Sequence, residues 1–345
     1  MKSLALVASV VLLCGGSMPG EAADLTSPTV VAIQQRGVLS CAGHNGSNPG
    51  FAELDDKGQW KGFDVDLCRA VAVAILGSAD KAKFVPLSWA QRWEALDSRE
   101  IDVLIKTTDA TMTRDTELGF QFSVPYMLGA YNFLVHKELG AKTATDLNGG
   151  TICTAAGTAN VRFLADFLQV HNIKATVLTF DKREEERAAY SSKRCDADLG
   201  WGPSLAVMRV TRDDPDAHII LPDVVAVAAE VALTRQGDDR FVNLVDWVIE
   251  ALLNAEDMGI TKENVDEFKA HPTNPAMQRL LGVVPGMGAR LGLKDDNWAY
   301  MLIKDLGNFG QIWDRNLGKD SPYKLDRGLN SLWKSGGVLV PYVID

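Results

Sequence analysis

The chain has 345 residues, roughly two domains' worth, and its 46% apolar and 23% charged content is that of a globular protein, which excludes wholesale disorder. Against 45 acidic residues stand 35 basic ones, a net charge of −10 with no block of Lys or Arg, so a nucleic-acid or anionic-membrane surface is disfavoured.

Residues 1–22 read as an export signal rather than as part of the fold. Lys2 gives a positive start, residues 4–13 are apolar, and Gly20 and Ala22 frame a cleavage position. The apolar run is shorter than the about 20 residues that a membrane span needs. Cys14 raises a lipid anchor as an alternative, but Leu13 precedes it where a small residue is wanted. Export into an oxidising compartment makes the other four cysteines, Cys41, Cys68, Cys153 and Cys195, candidates for two disulfides. Of three possible pairings the local one is Cys41–Cys68 with Cys153–Cys195. Four free thiols are the alternative, and zinc has no CxxC or HxxxH spacing to support it.

Beyond the signal, strand-like and helix-like segments alternate, the pattern of an α/β protein. Strands are predicted over 38–41, 83–87, 101–105 and 131–135, with a loop over 42–49 and helices over 63–76 and 89–98. Val65, Cys68, Val71, Ala72 and Ile75 recur at amphipathic helical spacing, and Asp64 at the start suits the helix dipole. After a polar stretch over 137–147 the pattern restarts. Strands are predicted over 151–154, 176–180, 197–199, 218–221 and 231–234, and helices over 159–171 and 183–193. Phe241, Leu244, Val245, Val248 and Leu252 mark one buried helical face, and residues 255–345 read mostly as helix and loop. Polar crossings near 136–147 and 222–230 imply two α/β lobes with a cleft between them, a common place for a small molecule. One lobe is expected to combine 23–135 with 229–345, including a C-terminal helical extension, and the other to span 136–228.

Motifs for catalysis are scarce. GxSxG, P-loop and HExxH patterns are absent from the sequence, and Gly286-Met287-Gly288-Ala289-Arg290-Leu291-Gly292 misses the dinucleotide spacing by one residue. The five histidines, His44, His136, His171, His218 and His271, stand at no metal-ligand spacing. More informative is Lys106-Thr107-Thr108-Asp109-Ala110-Thr111-Met112-Thr113-Arg114-Asp115, which follows a predicted strand. Hydroxyls, backbone N–H groups and one guanidinium suit a small carboxylate; a capped turn with Arg114 paired to Asp115 is the plainer reading. Ala156-Gly157-Thr158-Ala159-Asn160 is a second turn that opens a helix, where unpaired N–H groups attract anions.

Further stretches accompany these two. They include Gly62-Phe63-Asp64-Val65-Asp66-Leu67-Cys68-Arg69-Ala70-Val71, Phe84-Val85-Pro86-Leu87, Arg194-Cys195-Asp196 and Gln236-Gly237-Asp238-Asp239. Asn264-Val265-Asp266-Glu267, Trp298-Ala299-Tyr300 and Arg327-Gly328-Leu329-Asn330-Ser331-Leu332-Trp333 complete the set. With the four cysteines, the chain resembles the polar-amino-acid-binding proteins of bacterial ABC importers, extracellular solute-binding protein family 3, specifically the general L-amino-acid-binding branch. The resemblance implies a type II periplasmic-binding-protein fold, two α/β lobes joined by two crossover strands. It implies that Arg114 holds a ligand α-carboxylate with help from Thr107 and Thr158, and that the ligand side chain lies near Asn48 and Phe51. Lobe closure would bury an amino acid or related small molecule for delivery to an inner-membrane permease. The expected protein is periplasmic and monomeric, uses no cofactor or metal, and makes or breaks no bond.

Two positions depart from that pattern. Trp201 stands where the family has the Asp that holds the ligand's α-ammonium, and Asp198 is out of register with it. Asp109 replaces a Thr or Ser beside the carboxylate, where it would repel the ligand unless paired with Arg114 or with a cationic group. Trp201 offers a face for stacking or a cation–π contact. Ala228-Ala229-Glu230-Val231 also replaces an expected Glu-Pro-Leu-Gly. Two alternatives keep the fold: a periplasmic partner or sensor protein without a transport role, and an enzyme resembling cyclohexadienyl dehydratases with Asp109 as general acid.

Overall fold

Two sheets organise the chain, one in each lobe. The computed structural model describes residues 26–45 and 48–345, so the expected export signal lies outside the described residues. In the first lobe Leu39–His44 and Ala82–Leu87 run parallel, Cys41 opposite Phe84. Val103 then bridges Cys41, and Leu104 bridges Leu233, which carries the sheet into the antiparallel pair Leu233–Arg235 and Phe120–Phe122. The strand predicted over 101–105 is therefore reduced to two bridges. Arg235 takes the carbonyl of Ile101 with its guanidinium at 2.9 Å, which ends the ladder there.

Helix Phe63–Leu76 lies against this sheet. It starts at Gly62, whose φ of 131° and close approach require glycine: a Cβ there would sit 2.1 Å from the Phe51 carbonyl oxygen. It stops at Gly77 in the left-handed conformation, whose N–H bonds the Val73 carbonyl. The amphipathic pattern predicted an exposed face, yet 12 of its 14 residues are buried. The reason is the C-terminal extension: helices Asp239–Asp257, Trp298–Leu306 and Phe309–Asn316 pack over its outer side. Fully burying each Val, Leu or Ile is worth about 1.5–3 kcal/mol, so the extension is part of this lobe's core.

The second lobe holds a six-stranded sheet. Its path runs Thr176–Phe180, Thr151–Ala155, Ala197–Trp201, Met127–His136 and His218–Ile220, and Ala226–Glu230 also pairs with Met127–His136. Helices Asn160–Val170, Arg183–Ser191 and Gly202–Val210 cover it. The chain passes between the lobes along Met127–His136 and returns along Ala226–Glu230, an antiparallel pair with Tyr131 opposite Ala226 and Met127 opposite Glu230. The sequence reading placed polar crossings near 136–147 and 222–230, and the second of these contains the returning strand. Residues 137–147 instead carry two short turns, Lys137–Leu139 and Ala144–Leu147, and 226–230 is a strand. Small apolar residues at 226–229 carry no alternation that marks a strand from sequence.

Both local cysteine pairs are disulfides. Cys41 and Cys68 tie the first sheet to helix Phe63–Leu76 with Cα atoms 6.6 Å apart. Cys153 and Cys195 tie two segments of the second lobe at 5.7 Å. Both separations lie within the bonded range.

Candidate functional site

The site forms where the crossing strands meet the loop after Leu104. Val231 N–H donates to the Thr108 carbonyl and Ala110 N–H to the Ala229 carbonyl, both at 3.0 Å, so Asp109 and Glu230 stand opposite one another. Opposite residues of an antiparallel pair share a face, which sets two carboxyl groups side by side. Thr107 ahead of them is held at φ 35°, and its N–H donates to Asp64 at 3.0 Å. A β-branched residue at positive φ is uncommon and is a strained arrangement. Its hydroxyl is buried with no hydrogen-bond partner.

Asp109 is well satisfied. Tyr131 donates its hydroxyl to Oδ1 at 2.6 Å, and the Arg114 guanidinium lies 3.3 Å from Oδ2 while also bonding the Asp109 carbonyl. Of the two pairings weighed from sequence, Asp109 thus takes Arg114. Glu230 differs: it is 1% exposed, and its carboxyl pairs with that of Asp109, a contact that needs a proton between the two. Burial, with the nearby charge of Asp109 adding to it, pushes its pKa well above the ordinary carboxylate range. Burial likewise raises Asp64 to about 7, against the opposing charge of Lys106.

Arg92 supplies a second guanidinium. It is 1% exposed, lies over the rings of Trp93 and Trp89 at 4.1 and 4.9 Å, and donates to the Thr108 hydroxyl at 3.0 Å. Its Nε has no partner among the described residues. Burial first, and then the neighbouring charge of Arg114, lower its pKa to about 9.

The second lobe brings the opposite wall. Trp201 ends strand Ala197–Trp201, is 4% exposed and packs against Phe51 with ring centres 5.5 Å apart. Its indole N–H has no partner among the described residues. The Thr158 hydroxyl donates to the Ala155 carbonyl at 2.8 Å and accepts from Asn160 N–H at 3.3 Å. The lobes touch: a Cβ on Gly157 would stand 3.2 Å from the Ala90 nitrogen, and Arg162 donates to Thr113 at 3.3 Å. Between them remains a cavity of about 30 Å3. Its walls include Arg92, Thr107 and Asp109 from the first lobe, Tyr131 and Glu230 from the crossing strands, and Thr158, Asn160, Arg183 and Trp201 from the second.

Four residues expected from sequence, Thr107, Asp109, Thr158 and Trp201, therefore meet at one cavity. Arg114 reaches it through Asp109. Phe51 stands behind Trp201, and Asn48 closes the loop 48–52 through main-chain bonds with Ala52. Neither lines the wall. Asp198 is buried beside Glu186 and is absent from the lining. Sequence reasoning missed Arg92, Tyr131, Arg183 and the cavity-facing place of Glu230. Arg92 shares a helical face with Ala95 and Leu96, both buried, and Glu230 is the lone acid in an apolar run; both were available signals.

Comparison with known proteins follows the same lines. The family model described as bacterial extracellular solute-binding proteins, family 3, matches residues 41–263. The General L-amino acid-binding periplasmic protein AapJ of Rhizobium johnstonii is 41% identical over 98% of this chain and 98% of its own length. The Glutamate/glutamine/aspartate/asparagine-binding protein BztA of Rhodobacter capsulatus is 36% identical, again over 98% of both. Among solved structures, an ABC transporter/periplasmic binding protein from Brucella ovis with glutathione bound superposes with a TM-score of 0.88 at 41% identity. That match covers 92% of this chain and 99% of the other.

Proposed function

The chain belongs to the bacterial extracellular solute-binding proteins, family 3, and on that premise we propose that it captures an amino acid or an amino-acid derivative by lobe closure and delivers it to an ABC permease. One observation carries the reading. The cavity takes its walls from both lobes, and buried polar groups without partners among the described residues, the Arg92 Nε, the Thr107 hydroxyl and the Trp201 indole N–H, surround it. Buried polar groups are ordinarily paired, so an unpaired set around one cavity is a binding surface. Arg92 is the guanidinium on the wall for a ligand carboxylate, with Thr107 and Thr158 beside it and Arg114 held behind by Asp109. At about 30 Å3 the closed cavity admits a water-sized group, whereas small-molecule pockets span roughly 300–1,000 Å3, so capture requires the lobes to part about their crossing strands.

The protein acts in this reading as a periplasmic monomer, released by cleavage near Ala22, and carries no catalytic step. A thermal-shift screen of residues 23–345 tests it, with the twenty amino acids, their deaminated acids, glutathione, polyamines and prephenate. A ligand at 100 times its dissociation constant stabilises by about 2.7 kcal/mol, and small-angle scattering should show the ligand-bound form more compact. Absence of any stabilising ligand would overturn the proposal, and turnover of prephenate would replace it with an enzyme.

A further inference from the structure

We infer that the C-terminal extension carries a second ligand site, separate from the interlobe cleft, which takes a small aromatic carboxylate. The inference goes beyond the solute-binding reading and does not depend on it. The site is a cavity of about 280 Å3, close to the roughly 300 Å3 at which small-molecule pockets begin. Helices Asp239–Asp257 and Trp298–Leu306, the segment 279–291 and residues 344–345 wall it, and it shares no lining residue with the cleft.

Arg240, Arg279 and Arg290 all line the cavity. Arg240 makes no hydrogen bond or ion pair among the described residues. Arg279 donates from Nε to the Ile344 carbonyl at 2.9 Å, and its two terminal nitrogens have no partner among the described residues. Arg290 donates to the main-chain oxygen of Asp345 at 3.1 Å, and Asp345 is the acid on the same wall. Arg240 and Arg279 therefore remain for a ligand. In a chain of net charge −10, two guanidiniums without an acid partner at one cavity call for an anion, and their forked N–H groups match a carboxylate. The rest of the wall is largely apolar. Trp247 packs edge-on against Tyr342 with ring centres 6.4 Å apart, Trp298 is buried, and Met287 also lines the cavity. Indoles and a thioether suit an aromatic ring. The segment 286–292, which misses the dinucleotide spacing, supplies Met287 and Arg290. Asp296 fixes it by accepting from the Gly286 and Gly288 N–H groups at 2.8 and 2.7 Å, and a Cβ on Gly288 would stand 2.5 Å from the Asp295 carbonyl oxygen. That wall is set before a ligand arrives, which favours binding.

An NMR titration of the whole mature chain with 3-phenylpropionate tests this, read at the indole N–H signals and assigned by single Trp→Phe substitutions. The Trp247 and Trp298 signals should move together on one saturation curve, distinct from any movement of Trp89 and Trp201 at the cleft. Phenethylamine, with the ring and the opposite charge, should bind there at least tenfold more weakly, and so should acetate, with the charge and no ring. Arg240→Gln removes a guanidinium that has no partner to lose, so it should melt with the wild type and weaken 3-phenylpropionate at least fivefold. Ala251→Leu, which fills the cavity from helix Asp239–Asp257, should weaken it by at least as much. Unmoved Trp247 and Trp298 signals at millimolar 3-phenylpropionate, equal affinity for phenethylamine, or unchanged affinity in Arg240→Gln would each overturn the site. The solute-binding reading survives all three, since its own test lies in the cleft.

Discussion

Asn330 grips both main-chain groups of Leu128: the Leu128 N–H donates to Oδ1 at 2.7 Å, and Nδ2 donates to the Leu128 carbonyl at 3.0 Å. Leu128 lies on Met127–His136, the strand along which the chain passes between lobes, so the C-terminal extension holds the crossing itself. Arg327 fixes the clamp by donating to the Asn330 carbonyl from Nε and Nη2. Asn330→Ala leaves two peptide groups without partners and is expected to cost about 1–3 kcal/mol. Urea denaturation measures it; an unchanged midpoint would show that the crossing strands need no brace.

Gly129, next to Leu128, is required by Trp201. A Cβ there would lie 2.1 Å from the indole Nε1, closer than any contact allows. Gly129→Ala should therefore push the indole from its seat against Phe51, at a cost of about 1–3 kcal/mol for overpacking. The tryptophan emission that Trp201→Phe removes should shift to the red in the alanine variant. Unshifted emission would mean that the backbone yields instead.

Glu250 gives the fold a pH dependence. Burial, then the charge of Asp246, raises its pKa from 4.5 to about 7, although the Tyr342 N–H donating at 2.7 Å opposes the rise. The folded state thus keeps a proton that the unfolded chain releases. Its contribution is complete below about pH 4.5, falls as pH rises through 7, and amounts to up to about 3 kcal/mol. Glu250→Gln retains an acceptor for Tyr342 and should flatten the decline between these limits in pH-dependent unfolding. A decline as steep as in the wild type would assign it to other buried acids.

The lobes and their helices were legible because their signals are local. Phe63–Leu76 announces itself by period and by its bounding glycines, and Thr176–Phe180 and Arg183–Ser191 begin where their residue types predict. The returning strand within 222–230 was not, because Ala226-Val227-Ala228-Ala229 owes its strand to a partner about 100 residues earlier. The site divides in the same way. Thr107, Asp109 and Thr158 sit in turns that residue types reveal. Arg92 hides on a charged helix whose buried side is fixed by Trp89 and Trp93, and Glu230 gains meaning only opposite Asp109.

The two disulfides should contribute similarly to stability and be equally shielded in the folded protein. They close 27- and 42-residue separations, for which chain-entropy arguments give about 3–4 kcal/mol each. All four sulfurs belong to buried residues, so reductant should act only once the chain opens. Melting with and without dithiothreitol is therefore expected to show a large drop in Tm after unfolding in reductant, and a small one after brief exposure of the folded protein. Rapid native-state reduction would contradict the burial.

Arg92 sets binding against stability. Its guanidinium is buried without a carboxylate partner of its own, and the nearby Arg114 adds repulsion, so the folded protein bears the cost of that charge. The rings of Trp89 and Trp93 and the Thr108 hydroxyl recover part of it. Replacing a buried charge by an apolar side chain of similar volume is often neutral or stabilising by about 1–4 kcal/mol. Arg92→Met should then melt at the same temperature as the wild type or higher, while its affinity for carboxylate ligands falls at least tenfold. Such a divergence marks a residue retained for its ligand, since stability alone would have removed it. Loss of stability and affinity together would make Arg92 a structural support of the Thr108 turn.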